Sequence, residues 1–153
     1  ICGVFAPISN KTEITAINEA LNSASGCLMD GVNIHLKAAI TLMSQKPSPD
    51  YRNSIKESIS AVEALTKSIS GEKSGGLDRA LSTLDSKLNF HGAFKAGLLS
   101  LYGYTSDSDG IRHAILDEPS VGFDEAKFML VSCSALINFM LAKSIAAGLI
   151  LGP

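Results

Sequence analysis

The end of the chain constrains the fold most, because it predicts one long helix that is apolar on nearly every side. Apolar residues fill most positions from Glu125 to about Leu149, and Asp124 stands where an N-terminal cap is expected. At 1.5 Å per residue such a helix runs on the order of 38 Å. Because all of its sides need cover, the pattern predicts a helix surrounded by others or packed on a second copy of the chain.

Five shorter helices are expected before it, each marked by apolar residues three or four positions apart. The first follows Asn10, which stands three residues before a Glu, the spacing of a capping box. The second ends before Pro47, and the third begins at its cap, Asp50, and closes at Gly71. The fifth is expected to fail at Gly103. The stripes of these helices are Ile14, Ile17 and Leu21; Val32, Leu36, Ala39, Ile40 and Met43; Ile55, Ile59, Val62 and Ile69; Leu77, Leu81, Leu84 and Leu88; and Phe94, Leu98 and Leu101.

The length of the chain fits one domain with one core. A chain of 153 residues buries roughly 70% of the surface that its unfolded form exposes. No segment alternates apolar and polar residues for the length of a strand, and no internal repeat is visible. The sequence therefore predicts an all-α bundle of about five to six helices, a single domain over residues 1–153 with a long C-terminal helix.

Charge and cysteine usage exclude several classes of function. A net charge of −2 argues against a surface that blankets nucleic acid, although a small basic cleft remains open. Cys2, Cys27 and Cys133 follow no CxxC spacing, and His35 and His91 have no ligand spacing around them. We therefore expect no disulfide framework, no metal site and no cofactor, and a reducing cytoplasm as the location.

The apolar run over 128–151 is the one candidate for a membrane segment. Lys143 and several polar residues interrupt it, so we expect a buried core helix and no membrane contact. No basic residue precedes the apolar start, as a signal peptide would require. The chain opens on Ile1 rather than Met, which indicates a region trimmed from something longer, with function residing partly outside it.

Four segments together resemble the AbiJ N-terminal type of bacterial abortive-infection proteins, whose architecture is similar to the HEPN helical bundles. They are 49–63, 101–104, 110–113 and 128–141. The resemblance spans about residues 32–143 and is most specific over 52–63. It implies an HEPN-like bundle, a homodimer, a role in anti-phage defence, and metal-independent RNA cleavage by an Arg and a His. In that family several residues separate the two, whereas Arg112 and His113 are adjacent.

Arg112 and His113 are the candidate catalytic residues, and they follow a segment that the sequence predicts to be an acidic loop. A His titrates near neutral pH, so it could deprotonate the ribose 2′-hydroxyl or protonate the leaving oxygen. An Arg could hold the phosphate in a bidentate grip. The alternative is structural: Arg112 pairs with a nearby acidic residue and His113 caps a helix or packs on the core.

The third helix supplies candidate supporting residues. Arg52 and Lys56 could contact phosphate, and Glu57 could orient the imidazole or guanidinium. The alternative is a solvated helix face joined by i,i+4 pairs worth a few tenths of a kcal/mol each.

Two hypotheses of different class follow. The first is a dimeric ribonuclease or RNA-binding bundle that uses these five residues. The second is a non-catalytic module that dimerises through the last helix and regulates a separate effector domain. A local positive patch would favour the first, and an apolar interface alone would favour the second.

Overall fold

The computed structural model describes residues 8–23, 29–106 and 121–150, and within them all regular structure is helical. The predicted all-α class and the long C-terminal helix are confirmed. Six helices lie in these ranges: α1 (Lys11–Ser23), α2 (Asp30–Ser44), α3 (Tyr51–Ser70), α4 (Leu77–Leu88), α5 (Gly92–Ser106) and α6 (Phe123–Ala146).

Helix α3 is the centre of the packing, in contact with α2, α4, α5 and α6. Its apolar side is fully buried at Ile55, Ile59, Val62 and Leu65. Helix α6 contacts α1, α2 and α3, and covers the far side of the core with residues such as Leu130. Within the described ranges it is therefore not surrounded by helices, and one of its sides is left exposed.

Small residues and one hydroxyl bring α2 and α3 close together. Ser54 is buried, and its Oγ donates to the backbone carbonyl oxygen of Ala39, 2.8 Å away. Further along, a Cβ placed on Gly31 would lie 3.6 Å from the Cβ of Ala64, an ordinary contact distance. Because a buried hydroxyl needs a partner, this bond stabilises the pairing as well as fixing its register.

The predicted helix caps are largely confirmed. Oδ1 of Asn10 accepts from the backbone N–H of Thr12 at 2.9 Å, and Oδ1 of Asp50 accepts from Asn53 at 3.0 Å. Gly71 ends α3 with φ of 78°, a left-handed conformation that glycine adopts without the cost of a Cβ clash.

Three predicted helix boundaries were wrong. Asp124 does not cap α6: Gly122 is the N-cap residue, and Oε2 of Glu125 accepts from its backbone N–H at 2.8 Å. Glu125 occupies the third helical position, from which a side chain reaches back to the N-cap backbone in a capping box. The same helix ends at Ala146 rather than near 149. Helix α5 continues past Gly103, because one interior Gly costs a helix only about 1 kcal/mol.

Helix α6 is also the one helix among the described residues that is long and apolar enough to cross a membrane. Core helices meet the same criterion of length and composition. Nine of its residues are buried against the bundle: Ala126, Met129, Leu130, Cys133, Ser134, Ile137, Met140, Leu141 and Ser144.

Truncation of Ile59 tests the central place of α3. Ile59 is fully buried, so Ile59→Ala is expected to lower the free energy of unfolding by about 2–5 kcal/mol in urea denaturation. The matched control is Ile34→Ala, since Ile34 is 64% exposed on α2 and its loss should change stability by less than about 0.5 kcal/mol. Equal effects of the two substitutions would contradict the assignment of the core.

Candidate functional site

The candidate supporting residue Glu57 binds an imidazole, that of His35 on α2. Oε2 of Glu57 lies 2.7 Å from Nδ1 of His35, and the two side chains are 24% and 35% exposed. The pair lies at the solvent edge of the α2–α3 contact. A carboxylate that binds one ring nitrogen fixes the orientation of the imidazole and leaves the other nitrogen for chemistry or binding.

Arg52 and Lys56 do not share the face of α3 that carries Glu57. Lys56 is exposed and Arg52 is half-buried. At 3.6 residues per turn, Arg52 lies about 140° around the helix axis from Glu57, and Lys56 lies about 100° from it. The carboxylate of Glu57 therefore lies beside α2, whereas the side chains of Arg52 and Lys56 lie further around the surface of α3.

The two candidate catalytic residues, Arg112 and His113, lie outside the described residues, as does the acidic loop before them. Their assignment stays a prediction, and so does the alternative in which they pair with their own loop.

Sequence reasoning missed the partner of Glu57. His35 has no ligand spacing around it in the sequence, and no local pattern connects it to a residue 22 positions later. The signal that could have found it is the pairing of α2 with α3 as an antiparallel hairpin, which brings His35 beside the middle of α3. His91 has a local role instead: Nδ1 accepts from the backbone N–H of Ala93 at 3.2 Å at the start of α5.

The described residues show no group of three or more His, Cys, Asp or Glu side chains arranged to hold a metal ion. Cys133 is buried in α6, and burial raises the pKa of its thiol to about 12. Its thiolate is the reactive form, so the side chain behaves as a small apolar core residue.

Helices α5 and α6 together form an apolar surface that none of the candidate residues uses. Phe94 of α5 packs against Phe139 of α6 with the rings tilted and their centroids 5.2 Å apart, and both rings remain partly exposed. Lys95, the charged residue of α5, turns away to α4, where Nζ lies 3.1 Å from Oδ2 of Asp85. That hydrogen bond lowers the pKa of Asp85. The outward side of α5 is thereby left without charge.

A groove of about 460 Å³ continues this surface between the C-terminal half of α5 and the start of α6. Phe128 and Tyr104 stand on its walls, 59% and 45% exposed. The other residues that line it are Leu101, Asp124 and Glu125. We call the outward side of α5, the groove and the outward side of α6 the α5–α6 face.

No family model matches the sequence, and no curated protein or solved structure is significantly similar to it.

Replacement of Glu125 tests the cap that shapes one wall of the groove. The hydrogen bond from the backbone N–H of Gly122 lowers the pKa of the Glu125 carboxyl below its ordinary 4.5. A carboxyl whose pKa is lower in the folded form stabilises it fully above the unfolded pKa, and this is lost as pH falls through the folded pKa. We expect Glu125→Gln to be less stable than wild type at pH 7, and the difference to shrink below the ordinary carboxyl pKa and to vanish as pH falls through the lowered pKa of Glu125.

Urea denaturation at a series of pH values measures this difference. The control is Glu19→Gln, a change of the same charge on the exposed side of α1, which is expected to leave stability nearly unchanged. A deficit of Glu125→Gln that persisted unchanged to pH 3 would show that the ionised carboxylate does not make the cap.

Proposed function

We propose that this chain is a helical interaction module that works as a homodimer through the α5–α6 face and regulates an effector domain outside the chain. The observation that carries the proposal is the composition of that face. Asp124 and Lys143 are the exposed charged residues of α6, and the exposed residues between them are apolar. Lys127, which is half-buried with its side chain 31% exposed, pairs with Glu13 of α1. The anti-phage role implied by the resemblance to abortive-infection proteins belongs to the same proposal.

The exposure of α5 supports this assignment. The helix is rich in apolar and small residues, yet of its residues through Thr105 only Leu98 and Thr105 itself are buried. Contiguous apolar surface of this kind marks interaction sites on soluble domains, because leaving it in water is costly. Phe94, Phe128 and Phe139 are its aromatic anchors, the residue class enriched at the centres of interfaces.

Charge placed on the α5–α6 face tests the proposal. Phe128→Glu is expected to convert the dimer to monomer, or to raise its dissociation constant by at least about 100-fold, because a buried unpaired carboxylate is strongly unfavourable. Sedimentation equilibrium measures this over a range of protein concentrations. Ile34→Glu is the matched control: it adds the same charge at a similarly exposed apolar residue on α2, and should leave the dimer intact. A wild-type chain that stays monomeric at every concentration would contradict the proposal.

A second candidate function is metal-independent cleavage or binding of RNA by Arg112 and His113, with Arg52, Lys56 and Glu57 in support. The chemistry of the Arg-His pair motivates it. The observation that favours it is the contact of Glu57 with an imidazole, that of His35, at 2.7 Å. A His held by a carboxylate at a partly exposed site has the arrangement of a general base, and Lys56 is free to approach a phosphate from the exposed side of α3.

RNA cleavage by the purified chain in EDTA tests this second candidate, with the dimer confirmed in the same sample. We expect cleavage by the wild type, a loss of at least about 100-fold on His113→Ala, and full activity in the control His91→Ala, whose ring caps α5. The variant His35→Ala separates the two histidines, since its activity shows whether the pair with Glu57 takes part. Absence of cleavage by the wild type leaves the interaction module as the sole function.

A further inference from the structure

The exposed residues of α6 repeat at the spacing of a coiled-coil seam. Phe128, Ala135 and Ala142 follow one another at intervals of seven residues. Phe139 and Ala146 are also seven residues apart, and they lie four residues after Ala135 and Ala142 respectively. All five are exposed. A spacing of three and four residues keeps these side chains on one stripe along the helix, the pattern by which two helices pack over several turns.

The two ends of this stripe carry opposite charges. Asp124 is exposed in the first turn of α6 and Lys143 in the last, 19 residues later by sequence and so about 28 Å away. Two parallel copies would place Asp124 beside Asp124 and Lys143 beside Lys143. Two antiparallel copies would place each Asp124 within one turn of the partner's Lys143. Lys127 lies beside the stripe and pairs with Glu13 of α1, 3.5 Å away, so the exposed charges at the ends of the stripe are complementary in the antiparallel direction.

The sizes of the side chains agree with that direction. In an antiparallel pair centred on Ala135, Phe128 lies opposite Ala142, so a large ring meets a small residue at both ends of the seam. Ala135 lies opposite its own copy, where a methyl side chain permits close approach. Phe139 lies opposite Val131, which is half-buried.

We infer that two copies of this chain pair through antiparallel α6 helices, with the two-fold axis at Ala135 and an Asp124–Lys143 contact at each end. The inference rests on the proposed homodimer and adds its geometry. The outward strip of a 24-residue helix is roughly 36 Å by about 10 Å. That is about half of the 800 Å² per partner of a standard interface, so the outward side of α5 completes the contact.

Charge reversal tests the direction of pairing. In the antiparallel dimer, Asp124→Lys sets two lysines together at each end and Lys143→Asp sets two acidic residues together, so each change alone should raise the dissociation constant about tenfold. The double variant Asp124→Lys/Lys143→Asp restores opposite charges and should recover the wild-type constant within about threefold. In a parallel dimer each of these residues faces its own copy, so a reversal replaces one like-charge pair with another. None of the three variants should then differ from wild type in dissociation constant.

Disulfide trapping gives an independent readout, in a background where Cys2 and Cys27 are replaced by Ser. A mixture of Phe128→Cys and Ala142→Cys chains should form the mixed disulfide in the antiparallel dimer, with little product from either chain alone. Self-linked Ala142→Cys would overturn the inference in favour of the parallel arrangement.

A dimer whose dissociation constant is unchanged by every charge reversal would overturn the antiparallel geometry but leave the proposed function standing. A wild-type chain that is monomeric would overturn both. Cosedimentation of that monomer with phosphatidylcholine vesicles would then identify the face as a lipid-binding one.

Discussion

The burial of the apolar side of α3 is the interaction on which the rest of the structure depends. Ile55, Ile59, Val62 and Leu65 are all inaccessible to solvent, and α2, α4, α5 and α6 each pack on the helix that carries them. Full burial of one such side chain is worth about 1.5–3 kcal/mol. Their burial therefore offsets part of the conformational entropy lost when the bundle forms around this 20-residue helix.

The central position of α3 determines what the other helices leave exposed. Since α6 packs on α3 from one side, its opposite stripe stays largely exposed, and α5 contacts it through the ring of Phe139. Helix α5 contributes little to the core for the same reason: it lies at the edge, against α3 and α4, and meets α6 through the rings of Phe94 and Phe139. An apolar face and a well-packed core thus come from one arrangement, and the interaction module proposed for the chain uses the side that the core does not need.

The sequence predicted the helices well and the site only in part, for physical reasons. Stripes such as Leu77, Leu81, Leu84 and Leu88 are local signals, and all four residues are buried as expected. The pairing of His35 with Glu57 depends on which helices are neighbours, and hydrophobic periodicity carries no information on that. The predicted cap of α6 was wrong because the helix begins at Phe123, one residue before Asp124, and its N-cap residue, Gly122, has no side chain to mark it in the sequence.

The shallow seating of α5 has a consequence for local opening of the bundle. Apart from Leu98 and Thr105, its described side chains are in contact with solvent, so detaching this helix uncovers little of the core around α3. Regions with few buried apolar contacts open at a smaller free energy than the whole domain. Backbone amides of α5 should therefore exchange with deuterium well before those of α3. In the proposed dimer, where a second copy lies over the same helix, that exchange becomes slow.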